Sequence, residues 1–294
     1  MARYKLLLEY DGTRYGGWQL QRNTRTVQGE MLAAARSVFG VEELELLGAG
    51  RTDAGVHALG QVAHIEVSKS RPPDEIIRAF NDILPPDITV LQVWPVPPRF
   101  HARYHARSRS YLYQVSRRKT AFGKRYVWWV KDPLDLPRMR AVAARIVGRH
   151  DFRSFVDKRL EDKSTKIELS EFELRECGDL ILFRVSGTHF LWKLVRRLVG
   201  TVVAVGAGRL TREQVDAYFD GPSPEPARWT APPSGLFLEC VRFADDPPPG
   251  ELRPVLRLER VVRGAGLPDE PCKSPTAPCA SNPATRRPTR PEAG

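Results

Sequence analysis

Between residues 88 and 131 the chain has no aspartate or glutamate. A stretch that long without an acid cannot neutralise its own cations, so it calls for an anionic partner. Cysteine is scarce too: four residues, at 177, 240, 272 and 279, with no CxxC pair and no disulfide-like spacing. This argues against a disulfide framework or a zinc ribbon and suits a reducing compartment. Cys272 and Cys279 sit in a proline-rich stretch with no second ligand pair, so their proximity reads as chance. Long apolar runs are missing as well. The opening MARYKLLLEYDG is too short for a signal peptide, and the longest run elsewhere, 198–208, falls short of the roughly 18 residues a membrane span needs. The expectation is a soluble, cytoplasmic protein. The six histidines form no ligand set: His101 and His105 are four apart, but Pro97 and Pro98 before them argue against a helix. His57 and His64 read as structural residues or phosphate contacts.

What is present is positive charge. Residues 245–294 hold 8 Lys/Arg against 7 Asp/Glu, so +10 of the formal +11 belongs to residues 1–244. Within the acid-free stretch, 99–131 carries ten Lys/Arg interleaved with Tyr104, Tyr111, Tyr113, Phe122, Tyr126, Trp128 and Trp129. Cations that neutralise phosphates beside rings that stack on bases point to RNA. Single aromatics among these are also core candidates, Tyr111 and Tyr113 above all, because they share one face of a strand.

At 294 residues the chain is long enough for about two domains. Apolar spacing predicts strands over 4–10, 41–47, 61–67, 88–96, 110–115 and 236–243, with a hairpin of 167–175 and 180–186 around Gly178 and Asp179. Helices are expected over 27–39, with Thr26 as N-cap and Gly40 as stop, and over 74–84, 136–147, 189–205 and 212–219. Helices and hairpin-like strands mix in both halves, the pattern of two α+β lobes. Beyond Asp245, where 11 of the 25 prolines fall, composition predicts a disordered tail, and a chain ended after Ala244 is expected to keep its fold. A short amphipathic piece, 252–262, is the one part of it suited to docking locally.

The chain is organised around GAGRTDAGVHALG, residues 48–60. Glycines at 48, 50, 55 and 60 let the backbone come close to a ligand, while strand-like flanks hold Arg51, Asp53 and His57 in place. A carboxylate so placed suits nucleophilic or acid–base chemistry. The plainer alternative is a surface turn in which Arg51 and Asp53 pair with each other.

GRTDAGVHA resembles the signature of the TruA-type tRNA pseudouridine synthases. The resemblance extends in order through YDGTRYGGWQLQRNTRTVQGEM (10–31), RSYLYQV (109–115), HDFRSF (150–155), HFLWKLVRRLVG (189–200) and APPSGLFLECV (231–241). It covers about 4–243. It implies an α+β fold of two mixed lobes, 1–107 and 108–244, sharing a largely antiparallel sheet with the active-site cleft between them. It further implies a homodimer that isomerises uridine to pseudouridine on the 3′ side of the tRNA anticodon stem-loop, at positions 38, 39 and 40, with tRNA as partner and no cofactor or metal.

Residue by residue, the resemblance makes Asp53 the nucleophile and Arg196 its pairing cation. Tyr111 lies against the target base, Arg51 fills the gap it leaves, and Leu236 forms the apolar wall of the uridine pocket. Arg109, in the motif of Tyr111, is a further substrate contact. Whether Asp53 attacks the sugar or the base ring, or instead abstracts a sugar proton, is left open by the residues. Two other readings use the same features: a basic RNA chaperone without chemistry, and a hydrolase that releases the base. Trp192 and Lys193 stand where the family has smaller or histidine-like polar residues.

Overall fold

The computed structural model describes residues 1–156 and 164–258. The chain opens with β1 (Ala2–Tyr10), whose apolar side chains are almost wholly buried. Helix α1 (Val27–Phe39) begins where the Thr26 hydroxyl accepts from the Gly29 N–H and ends where Gly40 takes φ 65°. Its buried face is Val27, Met31, Ala34, Ala35 and Val38, at helical spacing. Next come β2 (Leu46–Gly48), β3 (His57–Val67), α2 (Pro73–Ile83) and β4 (Ile88–Val96). The second half holds β5 (Ser108–Ser116), β6 (Trp128–Trp129), α3 (Leu136–Ile146), β7 (Gly148–Asp151), β8 (Lys166–Cys177) and β9 (Leu180–Gly187). It closes with α4 (Leu194–Gly206), α5 (Arg212–Asp220) and β10 (Leu236–Arg242).

Among the described residues these strands form one ten-stranded sheet, β4-β1-β3-β10-β5-β9-β8-β7, with β2 on β3 and β6 on β5. Every pairing is antiparallel except β3 with β10 and β5 with β6. The last strand therefore sits in the middle. It runs beside β3 through Phe237↔His57 and Leu238↔Ala58, and beside β5 through Leu236↔Tyr113 and Leu238↔Tyr111. That insertion brings the start of β3, which follows the Asp53 loop, next to the strand of Tyr111.

Three expected segments differ. Only Leu46 and Leu47 of 41–47 are strand, in a β2 that runs on to Gly48, because Glu42, Glu43 and Glu45 stay at the surface and only the last residues reach β3. The apolar helix begins at Leu194 and not at His189, because Lys193 takes φ 58°, ψ 7°, a left-handed conformation that a helix cannot pass through. The chain beyond Asp245 does not stand apart as far as residue 258. Leu252 is 2% exposed and packs with Leu112, Leu182 and Phe237 on the sheet face away from the main core. The Val255 N–H donates to Gln114 Oε1 at 2.7 Å, and the Arg184 guanidinium donates to the Gly250 carbonyl at 2.8 Å. Prolines confer little order of their own, but here they link apolar residues that find a matching apolar face. The remainder of the proline-rich tail, and the second half of 252–262, lie outside the described residues.

Helix α4 crosses the 229–231 segment at contact distance. A Cβ at Gly200 would lie 1.5 Å from the Trp229 carbonyl oxygen. Gly200→Ala, which helix propensity alone would make stabilising by about 1 kcal/mol, is expected to destabilise by ~2 kcal/mol or more through overpacking, read as a lowered denaturation midpoint. Leu252→Ala is expected to cost ~2–3 kcal/mol, and a chain ended after Ala244 to melt lower than one ended after Leu258. Equal melting of the two shortened chains would return the segment to the role of a dispensable tail.

Candidate active site

The loop after β2 is held by backbone bonds from three directions. The Ala49 N–H donates to the Val62 carbonyl at 2.7 Å, the Trp18 N–H to the Thr52 carbonyl at 3.0 Å, and the Gly55 N–H to the Tyr15 carbonyl at 3.3 Å. Gly17 takes φ 98°, and a Cβ there would stand 2.5 Å from the Thr52 oxygen, so the YGGW turn fits against the loop only as glycine. Side chains add to the cradle. Tyr10 Oη and Thr52 Oγ1 are 2.8 Å apart, and Gln61 Nε2 donates to the Gly50 carbonyl at 3.0 Å.

Asp53 emerges from this cradle with its side chain 22% exposed, and Arg196 Nη1 lies 3.5 Å from its Oδ2. The Arg51–Asp53 pair of the plainer reading is not formed: Asp53 faces α4, and Arg51 is exposed. At 3.5 Å the contact is an ion pair at the outer limit of hydrogen bonding. Arg196 is itself oriented, because its Nε donates to the Ala231 carbonyl at 2.7 Å while the Ala231 N–H donates to the Arg196 carbonyl at 3.0 Å. Burial pushes the Asp53 carboxyl above the usual aspartate range, and Arg196, then Lys193 and Arg197, partly offset it. Lys193 adds its charge from the left-handed residue before α4, and Arg197 is buried with Nη1 on the Phe155 carbonyl at 2.9 Å. Neither simply extends to solvent.

Tyr111 is 7% exposed on β5, edge-on to Phe190 with ring centres 5.0 Å apart. Burial, with Tyr10 and Asp53 nearby, pushes its hydroxyl well above the usual range, so it stays a neutral phenol. Leu236, 4% exposed, lies on the neighbouring strand opposite Tyr113, whose hydroxyl donates to the Pro232 carbonyl at 2.7 Å. The structure thus brings Arg196 and Tyr111 each within electrostatic reach of Asp53, with Leu236 on the strand beside that of Tyr111. Arg51 is exposed on the loop.

Arg109 departs from its expected part. It is 8% exposed, and its guanidinium donates to the carbonyls of Ala49, Arg103, Ala106 and Thr188 at 2.9, 2.7, 3.2 and 2.9 Å. With four of its five N–H donors committed to backbone carbonyls, it ties the Asp53 loop to β5. His57 and His64 are structural. Buried His57 stacks on Phe237 at 4.7 Å and lies between the Gly12 N–H and the Arg125 carbonyl, while burial holds buried His64 near a pKa of about 4. Of the aromatics in the acid-free stretch, Tyr104, Phe122 and Trp129 are exposed, whereas Tyr111 and Tyr113 belong to the core. Sequence reasoning did not single out the Ala231 carbonyl or Phe190. No side-chain pattern marks a backbone acceptor, and Phe190 lay inside the HFLWK motif without a role.

A part-buried carboxylate faced by an oriented guanidinium, in a basic chain with exposed aromatics, suits an enzyme acting on an anionic substrate. A family model described as tRNA pseudouridine synthase matches residues 7–105 and 142–244. The tRNA pseudouridine synthase A of Halalkalibacterium halodurans is 39% identical over 239 residues, 81% of this chain and 91% of that one. The one from Rhodopseudomonas palustris is 41% identical over 246 residues, covering 83% and 100%. Among solved structures, a chain of a Cbf5-Nop10-Gar1 complex aligns at 11% identity and a TM-score of 0.34 over 68% of this chain and 44% of that one, too distant to inform the site. The chain belongs to the tRNA pseudouridine synthase family, whose members are isomerases. No helix among the described residues is long and apolar enough to cross a membrane.

Because burial raises the Asp53 pKa, the ionised form is lost on acidification at a pH above the ~4 of an exposed aspartate. The acid limb of kcat/KM is therefore expected above pH 4, and to move further up in Arg196→Gln, which removes the largest offsetting charge. A limb that stays in place in that variant would mean that Arg196 does not act on the carboxylate.

Proposed function

We propose that this protein isomerises uridine to pseudouridine in tRNA, in the anticodon stem-loop, with Asp53 as nucleophile. The ion pair between Asp53 and Arg196 carries the reading. The reaction breaks the bond between the sugar C1′ and N1 of uracil, joins C1′ to C5, and releases the C5 proton while N1 takes one up. Nothing is oxidised or reduced, so no electron acceptor is called for.

In this reading an ionised Asp53 makes the covalent attack, on C1′ or on the base ring, while the cleft limits water that would capture the intermediate. Arg196 holds the carboxylate charged and aimed, and the Ala231 carbonyl holds Arg196. The neutral Tyr111 phenol lies against the displaced base, edge-supported by Phe190, and Leu236 closes the apolar side. Arg51, exposed on the loop, fills the gap left when the uridine leaves its stack. Arg109 serves the loop and not the substrate. The protein works in the cytoplasm, as its cysteine usage and lack of long apolar runs suggest, and as a homodimer, as the family resemblance implies.

Tritium release from tRNA labelled at uridine C5 tests the reading. The natural protein is expected to release it without free uracil, and Asp53→Asn to release none while still binding tRNA. Free uracil would mean a hydrolase, and tight binding without release by the natural protein would mean a chaperone. Arg196→Ala is expected to cut kcat by about 10²–10³-fold with tRNA affinity changed only a few-fold. Equal loss in both would make Arg196 a phosphate contact.

A further inference from the structure

A second cleft, of about 410 Å³, opens between β6 and the C-terminal half of α4, away from the residues gathered around Asp53. Its floor is the small-residue side of α4, at Gly200, Ala204 and Ala207, and its walls carry Trp128, Trp129 and Trp229. This volume lies in the range of small-molecule sites. Trp129 is 37% exposed, a large ring left at the mouth of a recess.

The charge around it is asymmetric. Lys119 and Lys131 hold their ammonium groups 5.9 and 5.3 Å from the centre of the Trp129 ring, and neither pairs with a carboxylate among the described residues. The nearby carboxylates are committed: Asp132 to Arg209, and Glu225 to Arg228 at 3.1 Å. Trp129 at the mouth thus stands between two cations unpaired among the described residues, Lys131 in the lining and Lys119 beside it, with the neighbouring acids neutralised in place. Such a site complements a planar, apolar group flanked by negative charges.

We propose that this cleft is an accessory RNA subsite that receives an unpaired base of the substrate RNA against Trp129, with Lys119 and Lys131 on the flanking phosphates. The proposal rests on the tRNA reading above and extends it to a surface outside the chemistry. An entering base takes one face of the ring, and the ammonium groups beside the ring then meet the phosphates on either side. The occupant also meets the 228–230 turn, which leads directly into Ala231 and so into the support of Arg196.

Equilibrium binding of tRNA to the full chain carrying Asp53→Asn, with and without Trp129→Ala, tests this. Loss of a stacked base is expected to weaken binding about 5- to 100-fold. Trp129→Phe is expected to recover affinity to within a few-fold, and Lys131→Ala to lower the slope of log affinity against log salt by about one. Unchanged affinity in Trp129→Ala overturns the subsite. So does a changed sedimentation coefficient of the free protein with affinity intact, which would make the cleft a contact between protein copies. A natural chain that neither binds nor isomerises tRNA would instead bring down the functional reading beneath it.

Discussion

A carboxylate withdrawn from water has to meet a cation, and the one that meets Asp53 comes from 143 residues further along the chain. Much of the architecture can be read as the means of keeping that appointment. The glycine turn at 16–17 and the Tyr10 and Gln61 side chains hold the loop from one side. Gly200 lets the 229–231 backbone close on α4, and the Ala231 carbonyl then fixes the guanidinium. A shift in any of these moves one partner of a pair that is already at the outer edge of contact.

The same logic governs other buried cations in the molecule. Arg109 and Arg197 end on backbone carbonyls, and Arg184, 4% exposed in its side chain, ends on Glu239 and the Gly250 carbonyl. A guanidinium has enough donors to close several loose segments at once, which makes it a staple wherever irregular backbone must be buried. A chain rich in arginine for the sake of RNA has thus used part of that supply for its own scaffold. Others stay outward, Arg51, Lys119 and Lys131 among them.

What was legible in the residues depended on how local the cause was. Helix α1 and strand β4 have the expected bounds, because Thr26, Gly40 and the prolines around 85–86 act on their own neighbours. Where the cause was distant the reading failed. The left-handed Lys193 has no local marker, and the stretch 41–47 offered strand-like residues but only two with a partner. Arg109 could not be told from a phosphate contact, since a buried and a nucleic-acid-bound arginine look alike until the surrounding carbonyls are placed. Apolar residues at 252–258 were visible, but the sheet face that receives them was not. The meeting of Asp53 with Arg196 was anticipated through family resemblance, not through spacing.

The position of β10 sets the order in which this protein can come into being. It is the last strand among the described residues and it lies between β3 and β5 at the centre of the sheet. While the chain is being synthesised, those two strands face each other across an empty slot, each with an unpaired edge, until residues 236–242 leave the ribosome. Pairing across so many residues is slow and leaves sticky edges open, which makes this interval the one most exposed to misassembly and most in need of a chaperone. Equally, a chain cut short of β10 lacks the strand that joins β3, and with it the Asp53 loop, to the strand of Tyr111.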